Sequence, residues 1–434
     1  MSGGVVPRLS AEDAQAVGVL RGLGYRVADI QSIATRQDAF AVRVGARRDE
    51  PADGLRFTSR TVELGDGAFT NSFELHVDLD RCAVEAASSA TGFHLRDVVD
   101  PPTVLAAVSG SFSFISDDPG YQPLEPCLDF CCRAGAVVSL PTATKPAFVV
   151  HGGVPAVRPL RATGVLSVGG RRFDWIGSKL VPGGLPRRPG ELVVFGAANC
   201  RVLYAASERT GFLRFVDRAG NTTPATPAAV DFVVSPTSEG HAVTGVHRGG
   251  RADLFAGAYV LRGHAALADA VRVGDPVRVS AVDDLDVAGL SSGVSVGPSV
   301  ADAAAGSVDA YDDCLGVSPF RDVRYGRTLI GLSGRRLVLR VFDGAPLASA
   351  FQGVTPVEVA AVLHAEGVEP GAVHHLDGGQ SSKIALARPG AVEVVGSLHY
   401  LEWPPSPETP FRWRGLEGRL LRSCFAVTRK AGGA

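Results

Sequence analysis

Lysine is nearly missing from this chain. It occurs only at Lys145, Lys179, Lys383 and Lys430, so arginine carries almost all the positive charge. Nor is there an excess of either sign: 43 Lys+Arg face 45 Asp+Glu, for a formal net charge of -2. A chain so balanced has no electrostatic footprint for nucleic acid or for an anionic membrane surface. No stretch approaches the ~18 consecutive apolar residues that a membrane helix requires. The start, Met1-Ser2-Gly3-Gly4-Val5-Val6-Pro7-Arg8, lacks the charged-then-apolar pattern of a secretory signal. These absences predict a cytoplasmic protein.

A disulfide framework is also absent. The seven cysteines, at 82, 127, 131, 132, 200, 314 and 424, are odd in number and irregular in spacing. Cys127, Cys131 and Cys132 cluster, but no matching Cys-x-x-Cys or His-x-x-x-His follows. Reduced, buried thiols are therefore expected there, and no metal. The Asp pairs at 117–118, 283–284 and 312–313 read as loop turns, not as a calcium site.

What is present is apolar and rich in turns. With 45% hydrophobic and 20% charged residues over 434 positions, the chain can bury a large core, and its length suggests two or three domains. Residues 1–100 read as an N-terminal α+β portion of unknown role. Ser10 caps a helix with Glu12 and Asp13 in its first turn and Val17, Val19, Leu20 and Leu23 on its apolar face. Strand-like runs follow at Ala39–Val44, Arg60–Leu64 and Phe73–Leu79.

Residues 101–434 form a second unit of many short strands between Gly, Pro and Asp turns. The runs are Leu105–Val108, Val137–Leu140, Phe148–His151, Arg158–Val168, Phe212–Asp217 and Arg278–Val282, with Gly293–Val300 as strand or turn. Arg327–Leu332 and Arg335–Phe342 predict a hairpin around Ser333-Gly334. The clearest helix starts at Thr355-Pro356-Val357-Glu358, a capping box with proline at the first helical position. Val359, Val362 and Leu363 give it an apolar face and Gly367 closes it. The strand Ala372–Leu376 then delivers Asp377. The fold class is α+β: a mixed, mainly β core with a few peripheral helices, plus the small N-terminal α+β portion.

The stretch His374-His375-Leu376-Asp377-Gly378-Gly379-Gln380-Ser381-Ser382-Lys383 is the leading site candidate. Its glycines let the backbone turn sharply, and successive N–H groups in such a turn form an anion-binding concavity. Asp377 is either an Asx-turn acid or a catalytic or sugar-binding group. Ser381 and Ser382 either satisfy loop amides or contact substrate. His374 and His375 point to opposite faces of a strand, so at most one of them faces the site; His375 is the better candidate, beside a structural alternative. Arg327 is a solvated arginine or a bidentate phosphate clamp. Asp343 is a turn residue or a second site carboxylate, and Glu358 is assigned to capping.

In order along the chain, six segments resemble the phosphodiester glycosidase family, from roughly Leu105 to Val427. Ala107-Val108-Ser109-Gly110-Ser111-Phe112 resembles the family's Ala-Ile-Asn-Gly-Gly-Phe-Phe, and Ser292–Ser299 its glycine-rich Gly-Pro segment. Arg327-Thr328-Leu329-Ile330-Gly331 is similar to Arg-Thr-Ala-Ile-Gly, and Val341-Phe342-Asp343-Gly344 to its Val-Asp-Gly strand end. Gly353-Val354-Thr355 with Glu358 resembles the Gly-Met-Thr helix start. Leu376–Ser382 resembles Leu-Asp-Gly-Gly-Gly-Ser-Ser. The sequence departs at Ser109 and His375, where the family has Asn, at Gln380, where it has Gly, and at Lys383, where it has a neutral residue.

The resemblance implies a hydrolase that cleaves a sugar-1-phosphodiester, releasing the sugar and exposing a phosphomonoester. In a bacterial cytosol the substrate would be a small metabolite, such as a natural-product biosynthetic intermediate. Asp377, Asp343 and Arg327 would be catalytic. Ser109, Gly110, Ser111, His375, Gly378, Gly379, Gln380, Ser381 and Ser382 would bind substrate, with no cofactor and no metal. The alternatives are a non-catalytic sugar-phosphate binding protein, or a family member repurposed for transfer or cyclisation. The expected partner is the small-molecule substrate, with no nucleic acid and no membrane; homo-oligomerisation is left open.

Overall fold

The computed structural model describes residues 38–39, 41–113, 127, 129–200, 221–306, 324–345, 348, 350–398, 400–402, 412–414 and 420–430. The helix expected from Ser10, the Phe212–Asp217 run and the Asp pairs at 117–118 and 312–313 lie outside these residues. Within them the protein is mainly β, with short helices at Leu95–Val98, Val300–Ala305 and Pro356–Ala365. No described helix is long and apolar enough to cross a membrane.

Two sheets carry the site. The first has six strands in the order Arg47–Ala52, Leu55–Glu63, Phe69–Asp78, Arg336–Phe342, Arg327–Ser333, Val373–His375. The second has five, in the order Ala391–Gly396, Lys383–Arg388, Val104–Ser109, Leu421–Arg429, Cys82–Phe93. Alternation along each strand sends one row of side chains into a shared core. Leu75, Val77, Leu337, Leu339, Val341 and Ile330 from the first sheet pack with Val84, Val108, Ile384, Leu386, Phe425 and Val427 from the second. The strands before Pro101 are bonded to strands far along the chain. Phe69–Asp78 pairs with Arg336–Phe342, and Cys82–Phe93 with Leu421–Arg429.

The other face of the first sheet is covered by helices. Pro356–Ala365 buries Val359 and Leu363 against Leu329, Phe342 and Val354. Its capping box is complete: Glu358 N–H donates to Thr355 Oγ1 at 3.2 Å, and Thr355 N–H donates to Glu358 Oε2 at 2.9 Å. The run Gly293–Val300 divides between the strand Leu290–Ser295 and the helix Val300–Ala305. That helix is six residues long, too short for a visible apolar period, and ends at Gly306 with φ 78°.

Two further sheets fill the middle of the chain. One contains Ala136–Ser139, Cys131–Arg133, Leu290–Ser295, Lys145–His151 and Val154–Leu160. Its pleat sends Cys131 and Cys132 into different cores, and burial pushes the Cys132 thiol up to about 12. The other closes into a barrel. Thr163–Val168, Arg171–Gly177, Glu191–Gly196, Tyr259–His264, Ala229–Thr237, Gly240–Arg248 and Pro276–Val282 follow one another, and the last pairs back to the first. The predicted run Arg158–Val168 breaks in two where the chain passes into this barrel, at Ala162, whose carbonyl accepts from Gly177 N–H.

A buried ion pair locks the barrel wall. Arg262 Nε and Nη2 donate to Asp231 Oδ1 and Oδ2 at 2.6 and 2.9 Å, with both side chains fully buried. The remaining guanidinium donors reach Thr226 Oγ1 and the Pro224 carbonyl at 3.2 and 2.7 Å. Removing one partner strands the other charge in the interior. Asp231→Ala is expected to cost about 3–5 kcal/mol in denaturant unfolding, and Asp231→Leu with Arg262→Met to recover most of it.

Candidate functional site

The strand order brings five segments to one end of the two sheets. Arg327 opens a strand, and Phe342, its cross-strand partner, is followed by Asp343. The neighbouring strand ends at His375, opposite Leu329, and Leu376 N–H donates to the Thr328 carbonyl at 2.8 Å, which sets the exit toward Asp377. From the second sheet, Ser109-Gly110-Ser111 leaves one strand and Ser381-Ser382 enters its neighbour. Asp377 N–H donates to the Gly110 carbonyl at 3.0 Å, joining the two loops.

Backbones pass very close here. Gly379, at φ +61°, donates its N–H to the Gly326 carbonyl at 2.7 Å. A Cβ on Gly378 would lie 2.9 Å from that same carbonyl oxygen. The Asp377-Gly378-Gly379 loop is thus seated on Gly326, the residue before Arg327.

Asp343 is buried, at 7% exposure. Burial pushes its carboxyl up to about 6, against Ser397 Oγ and Gly344 N–H, which donate to Oδ1 at 3.0 and 2.7 Å. Its backbone is pinned as well: N–H to the Asn71 carbonyl at 2.8 Å, and carbonyl from Thr70 Oγ1 at 2.6 Å. A carboxyl held near neutrality in a protein interior can both give and take a proton at physiological pH.

Arg327 lies on the helix-covered side. Burial lowers its pKa to about 10, and Tyr325 and Glu358 act in the opposite sense. Its Nε donates to the Val354 carbonyl at 3.0 Å, and its guanidinium carbon stands 5.8 Å from the Tyr325 ring centroid, within cation–π range. His375 is buried too. Burial, then the charge of Arg327, pushes its imidazole down to about 3, so it is neutral at pH 7. Its Nε2 has no hydrogen-bond partner among the described residues. His374 sits on the opposite face of the strand, half-buried, with Nδ1 3.3 Å from the Gly297 carbonyl.

The serines divide by role. Ser109, Thr328 and Ser382 form a fully buried hydroxyl chain, with Oγ–Oγ1 and Oγ1–Oγ separations of 3.1 and 3.2 Å, tying one sheet to the other. Ser111 Oγ donates to the Ser295 carbonyl at 2.5 Å. Ser381 Oγ is fully buried and has no hydrogen-bond partner among the described residues. Gly110 packs against Ser423, where a Cβ would meet Oγ at 2.7 Å, and Gln380 is half-buried.

Ser397, Thr70 and Tyr325 touch the expected site residues yet carry no motif. Ser397 and Thr70 reach Asp343 from segments far away in the chain, which local pattern does not reveal, whereas Tyr325 stands two residues before Arg327. Among the described residues, no group of three or more His, Cys, Asp or Glu side chains is arranged to hold a metal ion.

No family model matches the chain, and no curated protein does. Among solved structures, a hypothetical protein from Synechocystis superposes with TM-score 0.51 at 13% identity, over 90% of this chain. The two share a fold. This chain spans 65% of the length of that protein. A Burkholderia pseudomallei protein assigned as exported gives TM-score 0.47 at 18% identity, covering 83% of this chain and 74% of the other. The catalytic domain of zebrafish N-acetylglucosamine-1-phosphodiester alpha-N-acetylglucosaminidase, auto-inhibited by its pro-peptide, gives 0.36 at 11% identity over 92% and 93%. At those two scores neither likeness supports an inference.

Proposed function

We propose that the chain hydrolyses a sugar-1-phosphodiester at the junction of Arg327, Asp343, His375 and the Asp377 loop. The observation that carries this reading is the convergence itself: a carboxyl held near pH 6, a guanidinium and a glycine-lined loop share one end of two sheets. The sequence resemblance supports it independently.

The chemistry suits this set. Glycoside hydrolysis ordinarily needs one carboxyl to protonate the leaving oxygen and another to assist attack. Here the leaving group is a phosphate ester, already stable as an anion, so protonation is less demanding. Arg327 holds the phosphate, its plane set by the Val354 carbonyl. Asp377 stabilises the oxocarbenium-like centre or activates water. Asp343 passes the proton, and the Gly378 N–H serves as a preorganised donor, the Gly379 N–H being spent on the Gly326 carbonyl that seats the loop. The Ser109–Thr328–Ser382 chain keeps the two loop walls in register.

Asp377→Asn tests this directly on a panel of sugar-1-phosphodiesters followed by phosphate-ester release and product mass. A fall in kcat of about 10²–10⁴-fold is expected, the range for loss of a positioned acid or base. Full turnover by this variant would remove the assignment.

A further inference from the structure

Glu358 does more than cap its helix. It holds both sides of a two-residue bridge on which Arg327 rests. Tyr325 and Val354 exchange backbone hydrogen bonds, N–H to carbonyl, at 3.2 and 2.8 Å. The Val354 carbonyl accepts from Arg327 Nε as well as from Tyr325 N–H. On one side of the bridge, Thr355 gives its N–H and Oγ1 to Glu358 Oε2 at 2.9 and 3.2 Å. On the other, Arg324 Nε reaches Glu358 Oε1 and Oε2 at 3.0 and 3.2 Å, and its Nη2 makes a further short bond to Oε1.

We propose that Glu358, acting through Arg324 and Thr355, is a positioning residue for Arg327. One carboxylate grips the residue before Tyr325 and the residue after Val354, so the carbonyl that orients the guanidinium cannot drift. The pair is shielded enough to matter: side-chain exposures are 16% for Arg324 and 23% for Glu358. Asp66, which accepts from Arg324 Nη1 at 3.2 Å, is 68% exposed and adds little. A plain cap needs only the Thr355 bonds; the three contacts to Arg324 and the seat on the bridge are what a cap does not explain.

This proposal rests on the phosphate-holding role given to Arg327, and the test separates the two. Arginine side chains are labelled with ¹⁵N, and the Arg327 Nε–H resonance is assigned by its loss in Arg327→Lys. Solvent exchange of that proton is then followed in Glu358→Ala and in Glu358→Gln. Glutamine preserves the cap geometry and keeps the test interpretable if alanine weakens the fold. Exchange is expected to accelerate about tenfold or more, with KM for the phosphodiester and Ki for inorganic phosphate rising on a similar scale and kcat little changed. In an Arg327→Lys background the same changes at 358 are expected to leave KM unmoved, since the coupling partner is gone.

A lower melting temperature with unaltered Arg327 exchange and unaltered phosphate Ki overturns the proposal and leaves Glu358 a cap. Faster exchange, with Arg327→Lys itself harmless to turnover across the panel, upholds the positioning and overturns the phosphate-holding role instead.

Discussion

Asp343→Asn is expected to make the protein more stable at pH 8 while removing the proposed phosphodiester hydrolysis. The carboxyl stands at about 6 in the fold against 3.8 in its ordinary state, raised by burial. Below the ordinary value both folded and unfolded chains carry the proton, and the group costs nothing. As pH rises through 3.8 and then 6, the unfolded chain releases its proton first, and the fold loses about 3 kcal/mol relative to acid conditions. Asparagine cannot ionise, yet it offers the same acceptor oxygen to Ser397 and Gly344.

The variant should therefore gain up to about 3 kcal/mol over the parent at pH 8 and almost nothing near pH 4. His375 works in the opposite sense: with its imidazole lowered to about 3, stability falls as pH drops below 6.5. That background is common to both proteins, so the comparison is made at each pH separately. Denaturant unfolding at pH 4 and pH 8 is the measurement, and an equal difference at both overturns the raised carboxyl. Turnover on the phosphodiester panel should fall by about 10²–10⁴-fold. Stability gained where activity is lost marks a carboxyl retained for its chemistry, because no folding advantage maintains it.

Where the sequence was legible, one physical signal dominated the segment. The capping box at Thr355 and Glu358 is local chemistry, and both of its bonds are present. The hairpin around Ser333-Gly334 is set by a turn, with Gly334 at φ 57°, and its register runs from Ser333↔Arg336 to Arg327↔Phe342. The expected strand Ala39–Val44 shows the limit. Its β-prone residues pair with side chains: Asn71 takes the Val44 N–H and gives its own to the Val42 carbonyl, so the ladder begins only at Arg47. The closed barrel was not legible either. Its closure depends on Thr163–Val168 meeting Pro276–Val282 across more than a hundred residues, and alternation says nothing about which edge pairs with which.

The site shows the same division. Arg327, Asp343 and the Asp377 loop were singled out by the glycine loop and the family resemblance, each beside an ordinary structural alternative. Their environment was not: the neutral His375 and the Ser109–Thr328–Ser382 chain arise only when the sheets are assembled.

Gly353→Ala is expected to be the most damaging single methyl in this region. Gly353 has φ +99°, where an L side chain is strained by about 1–3 kcal/mol before any contact is counted. Its Cβ would stand 2.1 Å from both the carbonyl carbon and oxygen of Tyr325, and 2.6 Å from Gly326 N. Those atoms are backbone and cannot rotate aside. The two segments must separate, breaking the Tyr325–Val354 pair at about 1 kcal/mol for each of its two bonds and releasing the carbonyl beneath Arg327. The sum reaches about 4 kcal/mol or more, in the tail that isolated surface changes do not enter. Gly331→Ala is the control: its Cβ would meet Val373 Cγ2 at 3.3 Å, a side-chain atom that can yield, and the cost should stay within about 1–2 kcal/mol. Denaturant midpoints for the two variants decide the matter. A Gly353→Ala protein as stable as its Gly331→Ala counterpart would show that the segments carrying Arg327 and the helix cap are not held in contact. A Gly353→Ala protein that folds but no longer binds inorganic phosphate would tie phosphate binding to the Tyr325–Val354 bridge, which meets the guanidinium through the Val354 carbonyl and the Tyr325 ring.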